Sequence, residues 1–469
     1  MTAQTILPAN TLSSGYDVAN SLRFNDGSSD YLNRTCGAGS RQTWTLSMWV
    51  KRGTLVTDQS LFSTYVHAND EFKINFYDTD KVGMRFYNGS EFQLEPNRLF
   101  RDTSAWYHLV FVADTTNGTE GNRFRIYVNG TEETSFAAED QPSQNLQMSI
   151  NDSNVQQIGR KQTSAYFDGY MAEVVFIDGS ALTAASFGEF DEDSPTIWKP
   201  KAVSGLTFGT NGFYLDFENS GNLGADASGE SHNWTANNFT AIDQSTDTCT
   251  NNFATMNPLD NYRQAHAFSD GNLTVTTTNG SQSYSTSSIL LTSGKWYVEC
   301  KPVSGGSEPE IGIANKMVLL NAGNNAQVSY NANGYGYRAS DPGTVWYNGE
   351  YVTNSLVTYA NGDIIGIALD LDNNKLYFSK NGTFANSQDP TDGTNAVSII
   401  DPASTEIGGY VFSCNETFND QNKVFSWNFG SPPYAISSGN TDGNGHGNFE
   451  YAVPSGYLAL CTKNLAENG

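Results

Sequence analysis

Gly362-Asp-Ile-Ile-Gly-Ile-Ala-Leu-Asp-Leu-Asp372, two asparagines, then Lys375-Leu-Tyr-Phe-Ser-Lys-Asn-Gly382 is the stretch that decides the fold. The second run reads as one strand entering a tight turn. Asn-Gly suits a type I′ hairpin, because both central residues need φ > 0. The same sign closes Arg123-Phe-Arg-Ile-Tyr-Val-Asn-Gly130 and Met84-Arg-Phe-Tyr-Asn-Gly89. Alternation with turn punctuation fills most of the chain, and helical periodicity is nearly missing; Ala181-Leu-Thr-Ala-Ala-Ser-Phe187 is one of few credible helical turns. The pattern predicts an all-β protein of antiparallel sandwiches.

Composition bounds the rest. At ~100–200 residues per domain, 469 residues make two to four domains, each able to bury a core. Aromatics at 13% and charged residues at only 16% exclude a disordered chain. The formal charge of −25, without basic runs, argues against a nucleic-acid partner, whose phosphates need clustered Lys and Arg. The longest apolar stretches, such as Ile364–Leu369, fall far short of the ~20 residues that span a bilayer, so no membrane insertion is expected. Met1 to Pro8 carries no basic region followed by an apolar one, so no secretory leader is expected. Cys36, Cys249, Cys300, Cys414 and Cys461 are widely spread, and their spacing fits neither zinc nor a disulfide framework. Cys300 and Cys414 sit in apolar runs and read as buried thiols, consistent with synthesis in a reducing cytoplasm.

Five segments follow from these shifts: an N-terminal arm (1–19), a strand-rich block (20–195), a connecting β and extended segment (196–283), a second strand-rich block (284–432) and a C-terminal docking tail (433–469). The connecting segment is rich in Asn, Ser, Thr and Asp, with apolar anchors at Phe208, Phe213, Leu215, Phe217, Trp234, Phe239 and Phe253. Anchors at that density imply docking onto a neighbour rather than free linker.

The first block resembles the LamG-like, concanavalin A-like jelly roll. The residues carrying the resemblance are Ser21-Leu-Arg-Phe-Asn-Asp-Gly-Ser-Ser-Asp-Tyr31, Trp44-Thr-Leu-Ser-Met-Trp-Val50, Trp106-Tyr-His-Leu-Val-Phe-Val112, Ile158-Gly-Arg160 and Phe167-Asp-Gly-Tyr-Met-Ala-Glu-Val-Val-Phe176. The second block resembles a SPRY sandwich through Lys295-Trp-Tyr-Val-Glu299, Ile311-Gly-Ile-Ala314, the Gly362–Gly382 stretch and Trp427-Asn-Phe-Gly430. Pro200–Asp260 and Pro454-Ser-Gly-Tyr-Leu-Ala-Leu-Cys-Thr-Lys-Asn-Leu465 are similar to segments of tailed-phage virion proteins, marine phages in particular, although Cys249 stands where that pattern usually has Pro. This last resemblance implies a virion protein made in the host cytoplasm, with other capsid or tail proteins, further copies of itself and a host-surface glycan as partners.

Weighed against chemistry, the sequence favours binding over catalysis. Glycoside hydrolysis needs two carboxyls facing one sugar ring. The nearest motif, Glu189-Phe-Asp-Glu-Asp193, follows a helical turn and precedes Ser-Pro, and reads as a solvated acidic turn. His67, His108, His232, His266 and His446 have no Gly-x-Ser-x-Gly partner, and His108 reads as a structural strand residue. Calcium is the cofactor that the jelly-roll resemblance implies, with Asp26, Asp30 and Asp168 as candidate ligands; capping of turns by these aspartates is the alternative. Asp370 and Asp372, in a hairpin, read as caps. For a ligand, Tyr335, Tyr337, Arg338, Trp346, Tyr347 and Asn348 lie in a Tyr-, Asn- and Gly-rich stretch where SPRY domains place recognition loops. Alternation would turn about half of those aromatics into the core. The expectation is a non-enzymatic protein of the particle exterior (capsid decoration, head fibre or tail appendage) presenting lectin-like sandwiches to proteins or glycans. A tail-fibre receptor-binding protein and a glycan-degrading enzyme with a binding module are the alternatives.

Overall fold

Trp44, Leu46, Met48 and Val50 alternate with Thr45, Ser47, Trp49 and Lys51 along the strand Thr43–Arg52, and the first four point into one core. That core belongs to the first of two units, Ser13–Thr250; the second runs from Asn251 to Gly469. The computed structural model describes residues 15–260, 266–278, 284–305, 308–317, 327–416 and 422–469. Residues 1–14, most of the expected N-terminal arm, lie outside the described residues. The protein is all-β, with antiparallel sheets paired into sandwiches and, among the described residues, one short α-helix, Thr462–Asn468. No helix among the described residues is long and apolar enough to cross a membrane.

In the first unit one sheet is centred on Trp106–Asp114, Thr43–Arg52 and Gly169–Asp178. The facing sheet runs Phe136–Asp140, Glu91–Pro96, Val82–Tyr87, Asp70–Phe76, Gln59–His67, Val155–Ile158, Tyr31–Thr35 and Thr235–Asn237. Trp44, Phe62, Phe72, Ile74, Met84 and Phe176 fill the space between them. The first sheet is buried on its other side too. There Val110, Val112, Val175 and Ile177 pack under Phe187, Tyr214 and Trp198.

The cover is made by residues expected as a connector. Phe213–Leu215 pairs with Gly169–Asp178, Gln244–Ser245 with Ser21–Phe24, and Thr235–Asn237 with Tyr31–Thr35. Residues 196–250 are thus a strap of the first unit, held by short strands and single apolar plugs such as Trp234. Residues from 251 onward enter the second unit, where Ala254 and Met256 reach its core.

The second unit pairs two sheets over Trp296, Val298, Ile311, Ile367, Phe378 and Trp427. One holds Val424–Asn428, Lys295–Ser304, Ile365–Asp370 and Lys375–Lys380 at its centre. The other runs Tyr284–Thr286, Val411–Glu416, Pro309–Ala314, Gly334–Arg338, Gly343–Tyr347 and Glu350–Leu356. The tail docks on its own unit: Leu458–Ala459 lies parallel to Trp296–Tyr297, and Phe449, Tyr457 and Ala459 cover Tyr297, Ala368 and Tyr377.

Asn129-Gly130 (φ 47° and 81°) and Asn381-Gly382 (49° and 78°) make the expected left-handed hairpin pairs, whereas at Asn88-Gly89 only the glycine is left-handed. All five cysteines are free thiols, with Cys300 and Cys414 buried in the core.

Candidate binding face

Strand period decides which of the six expected ligand residues meets solvent. In Gly334–Arg338, Tyr335 and Tyr337 face inward and are core residues of the second unit. The Tyr337 hydroxyl donates to the Val357 carbonyl, and the Tyr335 hydroxyl accepts from Ile400 N at 3.1 Å. Tyr347, opposite Tyr335, stacks on it at 4.5 Å. These three tyrosines serve packing, and Tyr335 and Tyr337 are closed to a ligand.

Their neighbours face outward. Gly336 stands opposite Trp346, Arg338 opposite Thr344, and Tyr351 opposite Trp346 on the edge strand. Asn348-Gly349 forms the left-handed turn between the two outer strands (φ 52° and 78°), which leaves Asn348 exposed at the tip. The Trp346 and Tyr351 rings meet with centroids 4.0 Å apart and planes tilted by 41°. Tyr351 is 60% exposed, so this pair is an aromatic surface and not core.

The platform is fixed from behind. The buried Arg338 guanidinium lies 4.5 Å from the Trp346 ring centre and 5.4 Å from that of Tyr330. Its Nε donates to Glu310 Oε2 at 3.0 Å, and its Nη2 to Gln327 Oε1 at 3.1 Å and Ser329 Oγ at 2.7 Å. Glu310 Oε1 accepts from Ser329 N at 3.1 Å. Glycine is needed at 336, because a Cβ there would sit 1.7 Å from Glu310 Oε1 and block the carboxylate's path to Arg338. Trp346 Nε1 donates to Thr344 Oγ1 at 2.9 Å, which fixes the indole edge. Glu310 was missed in the sequence; the signal was its outward position beside inward Ile311 and Ile313. Both charges are consumed internally, so the face offers a rigid flat surface rather than a reactive group. Its edge strand also exposes Val352.

Two of the three expected metal ligands, Asp30 and Asp168, accept hydrogen bonds through their carboxylates. Asp30 Oδ2 accepts from Asn25 N at 3.0 Å and Oδ1 from Ser28 Oγ at 2.8 Å; burial pushes its carboxyl up to about 6. Asp168 Oδ2 accepts from Thr54 Oγ1 at 2.6 Å, and exposed Asp26 turns the chain with its carbonyl accepting from Ser29 N at 3.1 Å. Among the described residues no three His, Cys, Asp or Glu side chains gather as an ion-binding group. Asp370 and Asp372 cap backbone, accepting from Asn373 N at 3.0 Å and Gly294 N at 2.8 Å.

The acidic turn is likewise built for structure. Asp191 is buried and accepts from Asp193 N at 3.0 Å, Ser194 N at 2.9 Å and Lys199 Nζ at 3.2 Å, while Glu189 is exposed. One Ser–His contact was not foreseen: Ser47 Oγ lies 2.8 Å from His108 Nε2. Trp198 Nε1 donates to His108 Nδ1 at 2.9 Å, so the ring proton sits on Nε2 and points at the serine. A base would need a lone pair there. Burial pushes this histidine down to about 3, and it stays neutral packing between Trp49 and Trp198.

Comparison with known proteins follows this division. Residues 26–186 match the concanavalin A-like lectin/glucanases superfamily and residues 294–388 match the SPRY domain. The chain therefore carries a concanavalin A-like lectin domain and a SPRY domain. Similar solved structures include a heptameric SAP-like pentraxin from Limulus polyphemus (16% identity, 36% of this chain and 80% of that one, TM-score 0.28). Others are the SPRY domain of human HERC1 (18% identity, 37% and 96%, TM-score 0.27) and a "putative carbohydrate binding protein" from Bacteroides ovatus (16% identity, 47% and 59%, TM-score 0.32). No curated protein matches the chain significantly.

Proposed function

We propose that this chain is a non-enzymatic binding protein on the exterior of a tailed-bacteriophage virion, as a capsid decoration, head fibre or tail appendage, and that it grips a glycan or a neighbouring protein through the Trp346–Tyr351 face. The observation that carries the binding role is the exposed Tyr351 ring set against Trp346, whose back is held by buried Arg338. An ordered aromatic surface of this kind stacks on the apolar face of a sugar or on a flat side chain of a partner. Support for the virion setting comes from the likeness of Pro200–Asp260 and Pro454–Leu465 to tailed-phage segments. The acidic charge keeps such a protein soluble before assembly. For the non-enzymatic role, the support is that Asp191 is consumed in a turn and His108 presents a proton to Ser47.

Binding of the full chain to isolated host envelope tests the face. Tyr351→Ala is expected to lower affinity at least tenfold with no loss of melting temperature, and unchanged affinity overturns the assignment. Gold-labelled antibody to residues 284–432 should decorate the outside of intact virions. Label at the tail tip alone converts the role to receptor binding, and label on broken particles alone removes the exterior placement. Glycan release that vanishes in Glu189→Gln would overturn the non-enzymatic reading.

A further inference from the structure

Asparagine precedes glycine at many points of the chain, and every such pair except Asn279-Gly280 lies among the described residues. Each pair carries a latent reaction. The glycine nitrogen can attack the asparagine Cγ, because glycine has no Cβ to obstruct the approach. A C–N bond forms and the Cγ–Nδ2 bond breaks, ammonia leaves with the glycine amide's proton, and a succinimide ring closes. Water then opens the ring at either carbonyl, giving aspartate or isoaspartate. The attack needs two freedoms: a side chain able to swing onto its own main chain, and a glycine amide that is not already donating.

The fold removes at least one freedom almost everywhere. Oδ1 of Asn117, Asn129, Asn211 and Asn381 accepts from Thr119 N at 2.9 Å, His108 N at 2.8 Å, Gly37 N at 3.1 Å and Ile364 N at 2.9 Å. Nδ2 of Asn333, Asn361, Asn444 and Asn468 donates to Gln327 O at 3.0 Å, Gly305 O at 3.2 Å, Asn464 Oδ1 at 2.9 Å and Asn464 O at 3.3 Å. Asn348 has an exposed side chain, but the nitrogen that it would need is taken, since Gly349 N donates to Ser329 O at 2.9 Å. Asn129, Asn348 and Asn381 are further locked at positive φ (47°, 52° and 49°).

Asn88-Gly89 keeps both freedoms. It tips the hairpin between Val82–Tyr87 and Glu91–Pro96, whose last pair is Tyr87 with Glu91. Both residues are exposed, and among the described residues the Asn88 side chain has no hydrogen-bond partner and the Gly89 amide no acceptor. The turn is held one position earlier, by Asn88 N donating to Ser90 O at 3.1 Å. Only the glycine is left-handed here (φ 91°), and a Cβ built on it would meet nothing within 4 Å, so the ring has room to close.

We propose that Asn88 is a self-modifying site, which the folded chain converts through a succinimide to isoaspartate and aspartate, selectively among its Asn-Gly pairs and with water as the only co-reactant. The conversion puts a carboxylate on the hairpin tip and, in the isoaspartate form, one extra carbon in the main chain, so its extent records the age of the molecule. The site is separate from the Trp346–Tyr351 face and does not depend on the function proposed above. The test is incubation of the full chain near neutral pH in H₂¹⁸O, followed by peptide mapping with mass spectrometry. The peptide holding Asn88 should become an acid carrying ¹⁸O, with isoaspartate in excess over aspartate. It should do so at least tenfold faster than the peptides holding Asn129, Asn348 or Asn381. In urea, where the fold protects no pair, all four should convert at similar rates. Asn88→Gln, whose longer side chain would have to close a larger ring, should remain an amide over the same time. Tyr351→Ala should convert at the parent's rate, which separates this site from the binding face. The proposal is overturned if Asn88 in the folded chain converts no faster than Asn381, if aspartate forms without isoaspartate, or if conversion occurs only in urea.

Discussion

Each unit covers the outer face of one sheet with a polar strap, and the two straps are fastened by different chemistry. In the first unit, besides the short strand pairings, buried charged side chains bond to side chains across the strap. Lys51 Nζ meets Asp247 Oδ2 at 2.7 Å with both side chains 1% exposed, and Trp106 Nε1 donates to Asp247 Oδ1 at 3.1 Å. Glu173 receives the Tyr214 hydroxyl at 2.8 Å and that of Tyr16 at 3.2 Å. In the second unit buried acids receive the strap's own backbone. Glu299 on the sheet accepts from Glu450 N at 3.0 Å and Tyr451 N at 2.8 Å, and within the strap Asp442 accepts from His446 N and Ala459 N, each at 2.9 Å. Side-chain fasteners hold a strap at points and make it respond to charge. Backbone fasteners fix the path of the chain and make it respond to geometry.

The sharpest way to break this contrast is to remove one charge from the first strap. Lys51→Met leaves Asp247 buried without its cation and should cost about 3–5 kcal/mol, read as a lower urea midpoint. Lys51→Met with Asp247→Leu should recover part of that loss. A double variant as unstable as the single would show that the ion pair is not what holds the strap. The corresponding change in the second unit, Asp442→Ala, strips the acceptor from His446 N, Ala459 N, Asn444 N and Asn464 Nδ2. It should cost about 3 kcal/mol, less than the ion pair because some freed donors reach water. Limited proteolysis should then cut between residues 433 and 469 first. Cleavage elsewhere, with the tail intact, would count against the backbone-fastener account.

The sheets were legible in the sequence and the straps were not, for a physical reason. Trp44 to Lys51 alternates because one face of that strand meets a core, and Asn381-Gly382 marks a turn because both residues take positive φ. The straps bury isolated anchors, and their Asn, Ser and Thr side chains satisfy backbone groups locally, which leaves no period to read. Phe213 and Trp234 were visible as anchors, but not the sheet that they would meet. At the candidate face, alternation told Tyr335 and Tyr337 from Trp346 only once the register was known. The Glu310–Arg338 pair spans strands 28 residues apart in sequence, a juxtaposition no local pattern encodes. Nor could the bulge at Ala172–Glu173 be seen, where the register shifts and both residues turn to the strap side.

That bulge supplies the mildest test of the contrast. Glu173 adopts φ 51° and is buried beneath Tyr16 and Tyr214; burial pushes its carboxyl from 4.5 up to about 7 against the pull of both hydroxyls. Asp216 and Glu218 push the same way, and the Tyr16 phenol is itself driven up to about 12 by burial. A carboxyl with a raised pKa holds its proton more firmly folded than unfolded. Its stabilising contribution is therefore complete below about pH 4.5 and is lost as pH rises through about 7. Between pH 5.5 and 8 the loss should be about 2 kcal/mol, measured as the change in exchange protection of the amides in Val174–Phe176 and Phe213–Leu215. His108, buried neutral in the same unit, acts in the opposite sense below about pH 6.5, so the quantity to compare is the parent against Glu173→Gln. The variant should lack the alkaline loss and keep the acid one. Parallel profiles would mean that the first strap, like the second, is held by geometry and not by charge.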